Sequence, residues 1–155
     1  MRGKQAKKRN IKPDEKYNST IIAKFINYVM KDGKKSIAKK IVYESMKLLA
    51  NQTKTDPVEA VEKAIENVKP KQEVRSRRVG GANLQVPIPV NPDRQVSLAF
   101  KWIIQSARLA RKNTTFTESL FKELLNAYNG TGAAVKKRDE VHKMAESNRA
   151  FAQFA

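Results

Sequence analysis

The sequence predicts a mainly α-helical single domain of about six helices, with a protruding two-stranded β-hairpin and a disordered basic N-terminal arm. Apolar residues recur at helical spacing through most of the 155 residues, a length that suits one domain. At about residues 72–90 the pattern instead alternates with a period of two. The first residues are nearly devoid of large apolar side chains. We therefore divide the chain into a basic N-terminal arm, 1–16, and a helical domain, 17–155, that carries the hairpin at about 72–90.

The arm is defined by its charge. Ile11 is the one large apolar residue between positions 2 and 12, and no acid lies there. Such a segment cannot bury enough surface to fold alone, and Pro13-Asp14 ends it. Its six cations are predicted to contact a polyanion: Arg2, Lys4, Lys7, Lys8, Arg9 and Lys12.

Three helices are predicted to follow the arm. Helical spacing starts at about Ser19 and stops before Gly33. The third helix has Asp56 as N-cap, Pro57 at its first position and Pro70 after its end, and its three glutamates make it the acidic helix. The second helix is predicted to turn one apolar face inward, formed by Ile37, Ile41, Val42, Ser45, Leu48 and Leu49.

The period-two stretch predicts a β-hairpin. Two alternating segments flank Gly80-Gly81-Ala82-Asn83, which predicts a connection of four residues. Pro87 and Pro89 lack an N–H donor, so the ribbon cannot lie inside a larger sheet. Because an isolated two-stranded ribbon is marginally stable in water, we expect it to project from the helices and to need a partner surface.

Three more helices complete the predicted fold. The fourth holds Trp102, the chain's one tryptophan, and the fifth begins at Thr115 with Glu118 at capping-box spacing and ends at Asn129-Gly130. The sixth, at about Ala133 to Ala150, has few apolar residues and many charges. Such a helix either faces solvent or packs on a polar surface.

Composition excludes several classes of function. The chain has no cysteine and one histidine, which excludes disulfide frameworks, thiolate metal sites and histidine-rich metal sites. No apolar run approaches the roughly 20 residues that span a bilayer, and the start of the chain lacks the apolar stretch of a signal peptide. We expect a soluble intracellular protein with no cofactor and no membrane partner.

The net charge indicates the class of partner. Lys and Arg number 32 against 15 Asp and Glu, a formal net charge of +17. A folded domain this cationic repels itself unless a polyanion is bound, and nucleic acid is a better candidate than an anionic membrane surface.

Two local patterns could suggest an enzyme. Gly33-Lys34-Lys35-Ser36 resembles part of a phosphate-binding loop, but position 28 is Tyr28 where that motif needs glycine, and the segment before it is helical. His142 could act as a general base, but it lies among cations with no acid or serine at a recognisable spacing. A helix–helix turn and a structural or RNA-contacting histidine are the simpler interpretations, and we expect no enzyme.

The cations fall into several zones rather than one recognition helix. Besides the arm, they occupy the turn between the first two helices (Lys31, Lys34 and Lys35), the hairpin (Arg75, Arg77 and Arg78), and the fourth helix with the connection after it (Arg94, Arg108, Arg111 and Lys112). The planar guanidinium suits phosphates and base edges, and Gly80 and Gly81 let the hairpin tip approach a backbone closely. Dispersed zones suit structured RNA better than a DNA duplex, although a general RNA- or DNA-binding protein remains the alternative.

Three segments resemble the ribosomal protein S7 family of the small subunit. They are Arg77 to Pro87 in the hairpin, Asp32 to Ser36 before the second helix, and Ala134 to Phe151 at the C-terminal end. Two places depart from the family pattern: the last residues, 151–155, and the connection 112–115.

The resemblance implies a non-enzymatic protein that binds the 3′ (head) domain of small-subunit ribosomal RNA and helps to start head assembly. It further implies a position near messenger RNA and exit-site transfer RNA, beside head proteins and a platform protein. The location would be the cytoplasmic ribosome, or the plastid stroma or mitochondrial matrix if the chain is organelle-encoded. The sixth-helix region would then add these RNA-facing residues: Lys136, Lys137, Arg138, His142, Lys143 and Arg149.

Overall fold

The computed structural model describes residue 3 and residues 9–154. Within them, six α-helices, one hairpin and one 3₁₀ helix follow each other along the chain. They are α1 (Thr20–Val29), α2 (Lys35–Thr53), α3 (Pro57–Val68), β1 (Gln72–Val79), β2 (Ala82–Pro89), α4 (Pro92–Ala110), α5 (Phe116–Tyr128), α6 (Ala133–Ser147) and the 3₁₀ helix Arg149–Phe154. The mainly α fold class with one antiparallel hairpin is confirmed.

The predicted helix starts are confirmed by their caps. The Asp56 carboxylate accepts hydrogen bonds from the amides of Val58 and Glu59, and Pro57 is the first helical residue. The Thr115 hydroxyl accepts from the amide of Glu118. These side chains satisfy amide groups that have no partner within their own helix.

The hydrophobic core lies between α1 to α5 and the first turn of α6. Phe25 and Phe100 are fully buried, with their ring centroids 5.1 Å apart. The core is continuous through all these helices, so the helix ends that carry the cationic turns pack around one core.

The inward face of α2 differs from the prediction. Ile37 and Leu48 are 55% and 39% exposed. The buried positions are Ala38, Val42, Ser45, Met46 and Leu49. The apolar stripe of α2 is wider than the face that the other helices cover, and periodicity alone does not tell which edge of a wide stripe is buried.

The hairpin turn is shorter than predicted. Val79 pairs with Ala82, so the connection is the two residues Gly80 and Gly81 rather than four. Both glycines have positive φ, +57° and +89°, as a two-residue turn of type I′ requires. The ribbon therefore ends in a tight tip with no side chain at either central position.

One face of the hairpin packs against the C-terminal end of the chain. The predicted sixth helix to Ala150 is two elements, since α6 ends at Ser147 and the 3₁₀ helix follows. Val86 in β2 is fully buried, and β2 contacts the 3₁₀ helix while β1 contacts α6. The partner surface that the hairpin needs is thus supplied partly by the chain itself.

Candidate nucleic-acid interface

Three of the acidic residues lie together on helix α3. Glu59, Glu62 and Glu66 all lie exposed on this helix. Helix α3 therefore presents an acidic surface, unlike the cationic zones that the other elements carry.

The arm joins the domain at Asp14. This carboxylate is 6% exposed and accepts hydrogen bonds from the Tyr43 hydroxyl (2.7 Å) and from the amides of Lys16 and Tyr17. Burial and the Asp14 hydrogen bond both raise the pKa of Tyr43. Two predicted contact residues, Arg9 and Lys12, lie exposed before this anchor, and four lie outside the described residues: Arg2, Lys4, Lys7 and Lys8.

A cleft forms where α1 and α4 end and α2 and α5 begin, and we call it the basic cleft. Its volume is about 400 Å³. Its cationic residues are Lys31, Lys34, Arg108 and Arg111. Its apolar residues are Val29, Ile37, Ala38, Ile41 and Phe116. No acidic side chain of the described residues lines it, so the cleft combines an apolar wall with unopposed positive charge.

Arg108 is held across this cleft. Its Nη2 donates a 3.4 Å hydrogen bond to the carbonyl of Val29, the last residue of α1. Its guanidinium carbon lies 5.9 Å from the centroid of the Phe116 ring, a cation–π distance. The predicted residues Lys35 and Lys112 are exposed beside the same helix ends. The structure therefore brings together the zones of α2 and of α4, which the sequence left separate.

The three hairpin arginines have different surroundings. Arg75 and Arg77 stand opposite Val86 and Leu84, on the face that packs on the 3₁₀ helix. Arg77 donates a 2.7 Å hydrogen bond from Nη1 to the Phe154 carbonyl. Arg78 lies exposed on the other face, opposite Asn83. Arg75 is exposed as well, whereas Arg77 also holds the C-terminal segment.

Arg94 has a structural partner. Its Nε lies 2.8 Å and 2.9 Å from the two carboxylate oxygens of Glu73. This ion pair raises the pKa of Arg94 and joins the first turn of α4 to the base of β1. The charge of Arg94 is paired with that of Glu73, so we assign Arg94 mainly to orienting the hairpin.

Two predicted residues on α6 serve packing. Arg138 donates to the carbonyl of Asn67 near the end of α3 and pairs with Asp139 at 2.6 Å. The Nε2 of His142 accepts a 3.0 Å hydrogen bond from the amide of Lys71. Nε2 can accept this bond only when it carries no proton, that is, when the imidazole is neutral. Burial and the nearby Arg138 charge lower the pKa of His142, which favours this neutral form.

The other cations of this region lie on the surface. Lys136 and Lys143 are exposed on α6. Lys137 pairs with Glu140 at 3.0 Å, and Arg149, in the 3₁₀ helix, lies 3.6 Å from Glu146. Exposed pairs of this kind are weak and can exchange for a phosphate.

Sequence reasoning missed the apolar half of the basic cleft. It assigned Ile37 to the core and gave Phe116 no role. The one available signal was position, because Ile37 follows closely on Lys34-Lys35 and Phe116 follows a connection rich in polar residues. Among the described residues, no group of three or more His, Asp or Glu side chains could hold a metal ion, and no helix is long and apolar enough to cross a membrane.

Similarity to known proteins identifies the family of this chain. A sequence model of the family described as "Ribosomal protein S7p/S5e" matches residues 1–149. The chain belongs to this family. The "Small ribosomal subunit protein uS7" of Thermosipho melanesiensis is 55% identical over 154 residues, 99% of both chains. Those of Dictyoglomus turgidum and Thermotoga maritima are 56% and 51% identical, over 94% and 99% of this chain and 93% and 99% of theirs. The resemblance predicted from three segments is thus confirmed along nearly the whole chain.

Proposed function

We propose that the protein is a structural constituent of the small ribosomal subunit that binds the 3′ domain of its ribosomal RNA. The observation that carries the proposal is the full-length similarity to proteins that bear the name of a small-subunit protein. The dispersed cationic zones support it, because a large folded RNA can be contacted at many separate points. The proposal assigns the chain no catalytic role and no cofactor.

The finer role comes from the family resemblance. In this proposal the protein helps to start assembly of the head, lies near messenger RNA and exit-site transfer RNA, and contacts neighbouring head proteins and a platform protein. The hairpin supports a position near messenger RNA and transfer RNA, since its tip carries two glycines and its outer face carries Arg78. The location is the cytoplasmic ribosome, in keeping with relatives that come from bacteria.

The absence of cysteine makes a direct test simple. A single cysteine can be introduced at Asn83, beside the hairpin tip, and an iron chelate attached there will cleave RNA that lies within reach. Glu62→Cys, on the acidic helix α3, is the matched control because both positions are exposed. We expect cleavage of the 3′ domain of small-subunit ribosomal RNA from position 83 and little or none from position 62.

Two outcomes would contradict the proposal. Equal cleavage from both positions would mean that the protein has no defined orientation on the RNA. Cleavage confined to another domain of the ribosomal RNA would mean that the binding site is misassigned. Omitting the protein from a reconstitution of the subunit tests the assembly role, and we expect the other head proteins then to bind poorly.

A further inference from the structure

The basic cleft has a property that phosphate binding alone does not explain. A surface that only contacts phosphates needs cations, but this cleft also exposes apolar side chains between them. Ile37 is 55% exposed at its rim, and Phe116 lies half-buried beside it. Exposing an isoleucine to water is unfavourable, and a wall of this kind indicates a ligand with an apolar face.

We infer that the basic cleft binds an unpaired nucleobase of RNA, with the flanking phosphates held by Lys31, Lys34 and Arg111. The inference rests on the proposed function and names the part of the RNA that this site takes. Single-stranded bases are recognised by stacking on aromatic rings or on guanidinium planes, and Phe116 with Arg108 offers both.

The size and charge of the cleft fit a nucleotide. Its volume of about 400 Å³ lies within the range of roughly 300–1,000 Å³ for small-molecule sites. Four cations line it, and no acid of the described residues does so. An apolar peptide side chain would pack against the apolar residues of the cleft but would leave its four positive charges unopposed. A nucleotide therefore complements the cleft better than a protein segment does.

Arg108 is already oriented for stacking. The Val29 carbonyl and the Phe116 ring hold its guanidinium across the cleft. Helix α2 begins at the same place, and its N-cap Lys34 makes no side-chain capping hydrogen bond. The positive end of the helix therefore adds to the attraction for a phosphate beside the base.

The test compares two short oligomers of equal charge at low salt, an oligouridylate and the same ribose–phosphate chain without bases. We expect the wild-type protein to bind the oligouridylate more tightly by roughly fivefold or more, which is the lower end of what one stacked base contributes. We also expect the oligouridylate, and not the abasic chain, to shift the Ile37 methyl resonances through the ring current of the base.

The variants separate the base from the phosphates. Ile37→Ser should remove most of the difference between the two oligomers, and Lys34→Gln should weaken both equally. Leu109→Ser is the matched control, because Leu109 is 84% exposed on α4 and does not line the cleft. Circular dichroism will show that the exposed substitutions leave the helices intact.

Each outcome decides the inference. Equal binding of the two oligomers overturns it, as does an Ile37→Ser protein that keeps the full difference. If ribosomal RNA fragments bind but neither oligomer does, the base site is wrong and the RNA-binding function stands. If no RNA binds at all, the proposed function itself fails.

Discussion

Arg77 donates a 2.7 Å hydrogen bond from its Nη1 to the carbonyl oxygen of Phe154, so the hairpin and the C-terminal 3₁₀ helix are joined at this point. The neighbouring Arg78 points to the other face of the ribbon. Two adjacent arginines therefore have different tasks: one holds the chain's own C-terminal segment and the other is exposed for a ligand.

The first prediction separates these two arginines. Arg78→Ala should weaken RNA binding and make the slope of log K against log salt shallower by about 0.7–0.9, because one phosphate contact is lost. Arg77→Ala should change the slope less and should instead increase hydrogen exchange in the 3₁₀ helix. A salt titration of both variants checks this. Identical slopes for the two variants would mean that the difference in their surroundings has no consequence for binding.

The second prediction concerns the hydrophobic core. Phe100 is fully buried against Phe25 and Tyr28, so Phe100→Ala should lower the free energy of unfolding by about 3–5 kcal/mol through the cavity that it leaves. Its neighbour Lys101 is exposed, and Lys101→Ala should have almost no effect. A urea melt compares the two. A similar loss in both would contradict the observed face of α4.

The third prediction concerns the start of α6. Gly132 has φ +99°, and a Cβ built there would lie 2.8 Å from the Cβ of Asn126. Gly132→Ala should therefore destabilise the fold by about 1–3 kcal/mol or more, from backbone strain and the clash together. Gly130 is the control, since it also has positive φ but no atom lies within 4 Å of its added Cβ. The two melting curves should differ; coincident curves would show that the contact with Asn126 relaxes without cost.

The fourth prediction concerns pH. The pKa of His142 is below its ordinary value of 6.5, chiefly through burial and then through the Arg138 charge, although Asp139 opposes this shift. The folded protein therefore favours the neutral ring, and the stability from its bond to Lys71 should be present above about pH 6.5 and lost as pH falls through the lower folded value. His142→Asn should remove this part of the pH dependence. An unchanged pH profile of stability would mean that the pKa of His142 is the same in the folded and unfolded states.

The fifth prediction concerns the arm. Deleting residues 1–12 removes six cations but leaves Asp14 and its bond to Tyr43 in place. We therefore expect an unchanged melting temperature and weaker RNA binding. Asp14→Asn, which weakens the anchor, should lower the melting temperature while leaving the cations present. A drop of several degrees on deleting 1–12 would mean that residues before Pro13 pack on the domain.

How far the sequence predicts this structure depends on the range of the interaction. The ends of α3 follow from Asp56, Pro57 and Pro70, and the hairpin follows from the two glycines, because these are local effects of caps and turn geometry. The family resemblance allowed the prediction of the whole fold, beyond these local features. The edge of a wide apolar stripe was not predictable in the same way, and Ile37 was assigned to the wrong side.

Contacts between distant residues were not predictable at all. The bonds of Arg77 to Phe154 and of Lys71 to His142 join positions 77 and 71 residues apart. No local pattern encodes such pairs, so the sequence offered Arg77, Arg94, Arg138 and His142 only as cations or as a histidine near cations. These four residues have partners within the protein, so fewer of the predicted contact residues have side chains without such a partner.

The most direct measurement for the account as a whole is competition binding of the purified protein to the 3′ domain of small-subunit ribosomal RNA. The competitors are duplex DNA of equal length and the other domains of the same RNA, all at one physiological salt concentration. The account predicts that the 3′ domain is preferred over both competitors. Preference for duplex DNA, or equal binding of all three, would contradict it.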